Sequence, residues 1–364
     1  VSPVVPDYSG PCVSGLIPGL LGPGPLPGWF PAPMQGARQQ VLLIVDGLGW
    51  RQLEANRDLM PTLSAFDGAS ITTVAPSTTA TALTSIATGL TPGEHGVVGY
   101  RMVVHGEVLN TLRWSTAAGD ARRRLVPAVV QPAPPFLGMR SPVVAKVETE
   151  YSGFTAAHLA GARYVGWRTP SSLVVEVRQL VRAGETFVLA YYDGVDKVAH
   201  EHGLGEHYRA ELAFVDRLVG DLLQELPADA CLAVIADHGQ VDVGERLVFP
   251  HPDVLAQCGL QSGEGRFRWL HARGGRQGEL LAAARAHHGD VAWVVSRDEL
   301  IDAGWLGPHV TAPARSRLGD VALVPFAPVA FHDPEDSGPF TLVARHGSLT
   351  EAEMLVPLLA ARAG

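Results

Sequence analysis

Three stretches of the chain are continuously apolar and then stop at an acid. Val41-Leu42-Leu43-Ile44-Val45 ends at Asp46-Gly47, residues 186–192 run into Asp193 and Asp196, and residues 231–236 run into Asp237-His238. Uninterrupted apolar runs of this length suit strands buried on both faces of a parallel sheet. Helical patterns fall between them at 77–88, 171–183 and 206–225, the last with Leu212, Val215, Leu218, Val219 and Leu222 on one face. The alternation predicts an α/β fold: a doubly wound, mostly parallel central sheet flanked by helices. Ligands of such sheets collect at the carboxyl edge, so three acidic strand ends are expected to converge there.

Two regions break the rhythm and are expected to be inserted lobes, one at about 102–165 with a Pro-rich loop at 126–142, the other at about 242–339. In the second, residues 266–273 alternate with period two and 279–287 have a helical pattern, which predicts a small α+β cap. Residues 1–36, rich in Pro and Gly, are expected to form an extended arm wrapping a catalytic domain of residues 37–364, the alternative being that they are disordered. Near the other end, Ser348 and Glu351 have the spacing of a capping box and predict a final helix through Leu359.

Length and composition narrow the classes. A chain of 364 residues with 46% hydrophobic positions can bury a large core, yet no run of about 18 apolar residues is present to span a bilayer. A net charge of −9 argues against a nucleic-acid polymer as partner, so a phosphorylated small molecule would need local cations such as metals. Cys12, Cys231 and Cys258 lack CxxC spacing, and residues 1–36 lack the pattern of a secretory signal. Together these predict a reducing, cytoplasmic setting.

Seven residues carry the candidate chemistry: Asp46, Thr79, Asp196, His200, Asp237, His238 and His346. Adjacent Asp and His at a strand end are costly to bury without partners, and together supply oxygen and nitrogen ligands. Asp196 and His200 are four apart, the spacing at which two side chains on a helix share a metal, with Asp193, His202 and His207 as competitors. In Pro76-Ser77-Thr78-Thr79 the hydroxyls stand at a strand-to-helix turn, where free N–H groups can hold a phosphoryl oxygen. The residues alone do not choose among these hydroxyls, which also suit N-capping. Mixed His and Asp ligands suit two Zn²⁺ ions and admit Mn²⁺ or Fe.

The ordered blocks VLLIVDG, PSTTATALTSIATGLTPGEHGVVGY, YYDGVDKVAHEHG, VIADHGQ and ARHGSLTEAEMLVPLL resemble the nucleotide pyrophosphatase/phosphodiesterase branch of the alkaline phosphatase superfamily. The resemblance implies that Asp196, His200 and His346 bind one zinc and Asp46, Asp237 and His238 the other. It selects Thr79 as the nucleophile that forms a phosphothreonine on cleaving phosphodiester or nucleotide pyrophosphate bonds. Two positions depart from the family's pattern. Ala80 replaces an aromatic residue of the nucleotide-cleaving members, although Tyr191 matches the other half of their base-gripping slot, and Ala82 replaces a phosphate-binding Asn. Asn110, or Arg113 beside it, is the candidate substitute. The alternatives are a phosphomonoesterase or phosphonate hydrolase on the same site, or an inactive module that binds a phosphorylated ligand. No C/S-x-P-x-R sulfatase motif occurs, and the chain is too short for the inserted domain of the related mutases.

Overall fold

The computed structural model describes residues 2–336 and 342–363. The first apolar run forms β1 (Gln39–Val45), buried from Val41 onward. The other six strands of the central sheet are β2 (Asp67–Thr72), β3 (Pro142–Lys146), β4 (Arg163–Trp167), β5 (Phe187–Tyr192), β6 (Ala230–Ile235) and β7 (Leu355–Arg362). Their order is β2-β7-β6-β1-β5-β3-β4, with β7 running opposite to the other six. Within the parallel centre Leu42 lies between Leu189 and Ala233, so the three acid-terminated strands sit side by side and in register. Their acids consequently emerge at one edge, as the pattern predicted.

The main helices are α1 (Thr79–Thr88), α2 (Pro170–Arg182), α3 (Gly194–His202) and α4 (Glu206–Glu225). α4 buries Leu212, Val215, Leu218, Val219 and Leu222, the apolar face read from its spacing. α1 starts at Thr79 with Thr78 as N-cap and stops at Gly89, whose φ of 72° favours glycine.

Two expectations are corrected. The region expected as a lobe at 102–165 divides: a small antiparallel sheet begins at Arg101–Val104, but Pro142–Lys146 and Arg163–Trp167 are strands of the central sheet. The Pro-rich stretch just before β3 obscured a short strand, Val143 to Ala145, that is buried throughout. The second correction concerns the end of the chain. Thr350 caps a single turn, Glu351–Met354, and Leu355–Arg362 then enters the sheet between β6 and β2. Pro357 removes a helical donor and clashes with the preceding turn, while the apolar run around it suits a strand covered on both faces.

The cap holds a four-stranded antiparallel sheet, Cys258–Glu264, Phe267–Ala272, Val321–Pro325 and Ala292–Ser296 in spatial order, with the helix Gln277–His288 against it. The upper bound of 339 for this lobe lies outside the described residues. The N-terminal arm packs against the core: Cys12, Val13, Leu16, Ile17, Phe30 and Met34 are buried, and Val4 N–H donates to Leu349 O. No helix among the described residues is long and apolar enough to cross a membrane.

Candidate active site

Asp46 follows β1, Asp237 and His238 follow β6, and Asp196 and His200 project from the first and last turns of α3. Gly47 permits their approach. Its φ is +77°, and a Cβ there would stand 2.8 Å from Gln240 Nε2 and 3.0 Å from Asp196 Cβ.

Asp46, Asp237 and His238 form one cluster of potential ligand atoms. His238 Nε2 is 3.4 Å from Asp46 Oδ1 and 3.5 Å from Asp237 Oδ2. Both of these oxygens are buried and have no hydrogen-bond partner among the described residues. The opposite oxygens are held: Tyr191 O–H donates to Asp46 Oδ2, and the N–H groups of Gly47 and His238 donate to Asp237 Oδ1 at 3.1 Å each.

A second cluster is built on Asp196, His346 and the same His238. Asp196 Oδ1 is 3.3 Å from His200 Nε2 and 3.7 Å from His346 Nε2, and accepts a 2.5 Å bond from Gln240 Nε2. His200 thus joins through Asp196. The rings of His238 and His346 stack 3.5 Å apart and link the clusters.

All three histidines are oriented alike. Nδ1 of His200 contacts Ala344 O at 2.7 Å, that of His238 contacts Gly239 O at 3.1 Å and that of His346 contacts Ser77 O at 3.0 Å. A carbonyl can only accept, so Nδ1 carries a proton and Nε2 is directed inward, the arrangement that backbone partners impose on metal-binding imidazoles. The electrostatics agree. Burial, followed by Asp237 and Asp196, pushes the Asp46 carboxyl well above its usual range, and burial also raises Asp237. Burial and the neighbouring His238 and His200 hold His346 well below the ordinary imidazole value. Orphaned carboxylate oxygens facing the inward-turned Nε2 atoms of three imidazoles fit divalent cations, which would supply the missing charge.

Thr79 stands against this centre at the first turn of α1, its Oγ 3.1 Å from His238 Nε2. The Ser77 hydroxyl instead donates to Ser348 O at 2.7 Å. Asp193, a competitor for ligand roles, is ion-paired with Lys146 at 2.5 Å and Lys197 at 2.6 Å. His202 and His207 stack on one another, 4.0 Å apart.

Two cavities meet at Thr79, Asp196, Lys197 and Leu112. One, of about 300 Å³, is largely apolar, with walls including Leu83, Val143, Phe154, Leu159 and Tyr191. The other, of about 690 Å³, has many charged side chains in its walls, including Arg113, Glu264, Arg345 and His346, and is the polar cavity in that sense. Asn110 is corrected by this geometry. Its amide donates to Tyr100 O–H at 2.6 Å and its carbonyl accepts from Arg113 N–H at 3.0 Å, closing a turn, and it lines neither cavity. Arg113 does line the polar one. Gln240, Glu264 and Arg345 line or brace the candidate site but carry no sequence signal of their own, although Gln240 and Arg345 lie within the blocks VIADHGQ and ARHGSLTEAEMLVPLL.

The sequence model described as Type I phosphodiesterase / nucleotide pyrophosphatase matches residues 40–349, a span that contains all seven predicted site residues. The chain belongs to this phosphodiesterase family. It is accordingly a hydrolase of the alkaline phosphatase superfamily. Among solved structures, murine ectonucleotide pyrophosphatase/phosphodiesterase 5 is similar with a TM-score of 0.66 and 16% identity, over 88% of this chain and 87% of that one. An inactive Thr-to-Ala variant of the murine protein, in complex with AMP, is similar at 0.66 and 15%, over 89% and 87%. Phosphonoacetate hydrolase from Sinorhizobium meliloti 1021, in complex with phosphonoformate, is similar at 0.61 and 19%, over 90% and 91%. No curated protein matches by sequence. At these identities the structural likenesses establish the phosphodiesterase family's fold, and the site rests on the geometry above.

Proposed function

We propose that this chain hydrolyses phosphodiester or nucleotide-type pyrophosphate bonds, with Thr79 as nucleophile and two zinc ions as cofactors. The observation that carries the reading is the Thr79 hydroxyl at a helix N-terminus, 3.1 Å from the histidine shared by the two ligand clusters. Asp46, Asp237 and His238 would hold one ion, and Asp196, His200 and His346 the other. Divalent cations held there would lower the pKa of the Thr79 hydroxyl and offset oxygen charge on the phosphoryl group. Thr79 Oγ bonds to phosphorus as the bond to the leaving oxygen breaks, and water then cleaves the phosphothreonine to release the second product and restore the hydroxyl. The free N–H groups of the first turn of α1 orient the phosphoryl oxygens. The inactivity of the murine Thr-to-Ala variant supports the choice of a threonine. Three buried, unpaired cysteines support action in a reducing, cytoplasmic compartment.

Two cavities flanking the nucleophile favour a diester, with one substituent in each. Ala80, where the nucleotide-cleaving members carry an aromatic, leaves Tyr191 without the other half of a nucleobase slot, and favours phosphonate or monoester hydrolysis as the second reading. Hydrolysis of bis-p-nitrophenyl phosphate and p-nitrophenyl phosphate, with and without added zinc, separates these. The expected result is zinc-dependent cleavage with the diester preferred. Monoester preference would transfer the protein to the second reading, and no turnover of either by zinc-loaded protein would support an inactive binding module.

A further inference from the structure

The cap contributes to the polar cavity through the tip of one hairpin, Glu264-Gly265-Arg266, which joins the strands Cys258–Glu264 and Phe267–Ala272. This tip is fixed from behind. Arg266 pairs with Glu353 through Nε at 3.0 Å and Nη2 at 2.6 Å, both side chains fully buried, and its Nη1 donates to Ala327 O at 2.6 Å and Val329 O at 2.8 Å. Glu353 also accepts from Ser348 N–H at 3.0 Å, so the hairpin is tied to the turn that carries His346.

Two side chains interlock across this junction. The Glu264 side chain packs on Gly347, where an added Cβ would stand 3.1 Å from Glu264 Cδ, and the Arg345 guanidinium packs on Gly265 in the same way, with Nη1 at 3.3 Å. Both line the cavity that contains Thr79. Neither makes an ion pair among the described residues: Glu264 Oε1 and Arg345 Nε are buried without hydrogen-bond partners there, although the Glu264 carboxyl also has a hydrogen bond with the Thr78 side chain.

The surrounding charges are committed elsewhere. Asp333 and Asp336 are ion-paired with Arg101 and Arg268, Arg266 with Glu353, and Lys197 with Asp193. Arg345 and the exposed Arg113 are the cavity's guanidiniums in no ion pair among the described residues. Burial pushes the Glu264 carboxyl up to about 8, so near neutrality it is mostly an uncharged O–H donor that leaves the cation's field intact.

Leaving a buried donor unpaired is costly, and a ligand that satisfies both groups gains the difference. We propose that Arg345 and Glu264 are specificity-determining residues that receive an anionic, oxygen-rich group, a carboxylate or second phosphate, on the substituent of the substrate lying in the polar cavity. This deepens the hydrolase reading and rests on it for orientation. Arg345 supplies charge and a planar pair of donors, which lysine matches only in charge.

The test uses two p-nitrophenyl phosphodiesters, one bearing a carboxymethyl group and the other its uncharged methyl ester, with zinc-loaded wild type, Arg345→Met, Arg345→Lys and Glu264→Gln. Wild type is expected to favour the carboxylate by roughly tenfold in kcat/KM, in line with a charge-assisted hydrogen bond. The preference should fall towards unity in Arg345→Met and be partly restored in Arg345→Lys, while Glu264→Gln should lower it less. A wild-type ratio near one, or an unchanged ratio in Arg345→Met, would overturn the assignment. Calorimetric titration of zinc-loaded Thr79→Ala protein with 3-phosphonopropionate and methylphosphonate gives an arm independent of turnover. Tighter binding of the former, lost on adding Arg345→Met, upholds the subsite even if neither diester is cleaved; equal binding of the two rejects it even if hydrolysis is robust.

Discussion

At the residue scale the candidate metal site depends on groups that hold the proposed ligand residues as much as on those residues. Tyr191 fixes one oxygen of Asp46, backbone N–H groups fix one oxygen of Asp237, and Gln240 holds Asp196. Gly47 lets these pieces meet, and its replacement is a direct test. Gly47→Ala places a Cβ at a positive φ and within 3.0 Å of Gln240 and Asp196. The expected cost is about 1–3 kcal/mol of stability, with weaker zinc retention, measured by chemical denaturation and by metal content after dialysis. Unchanged values of both would show that the loop relaxes freely. Asp46, Asp237 and His238 at strand ends and Asp196 with His200 at i,i+4 stand out as local signals, whereas His346 stands out only through the family resemblance and the turn it opens. The value of Glu264 and Arg345 was not legible, since it arises only when the cap hairpin meets the turn at Gly347, and that of Gln240 arises only when the turn after β6 meets α3 at Asp196. Asn110 shows the converse: a polar residue in a suggestive place, with both ends of its amide consumed by its own turn.

At the element scale, β1, β5 and β6 were recognisable from continuous apolar runs, which need no tertiary information to interpret. The end of the chain was misread because a capping signal near Ser348 outweighed Pro357, and because a one-turn helix passing directly into a strand has no single period. β3 and β4 were assigned to a lobe because Pro142 and the prolines before it suggest a loop, while the edge strand β4 is only partly buried. The cap hairpin offers the sharpest energetic test at this scale. Arg266→Met leaves Glu353 buried opposite an apolar side chain, and a loss of about 3–5 kcal/mol is expected in urea unfolding. The double variant Arg266→Met/Glu353→Leu should recover much of it, because no buried charge remains. A single variant as stable as wild type would mean that the pair does not anchor the hairpin.

At the scale of the whole molecule, a parallel sheet brings three acids to one edge, α1 presents a threonine to them, and the cap closes the polar side. The fold was legible because alternating strand and helix patterns admit few arrangements. The division of the substrate space into apolar and polar cavities was not, since their walls come from distant parts of the chain: Val143 and Phe154 on one side, Glu264 and Arg345 on the other. The central claim is a two-metal centre serving one threonine nucleophile. Metal stoichiometry and diester hydrolysis measured together on wild type and Thr79→Ala test it most directly. Two zinc ions per chain are expected in both proteins, with turnover reduced roughly a thousandfold or more in the variant. Near-normal turnover in Thr79→Ala, or full wild-type activity in protein stripped of metal, would contradict the account.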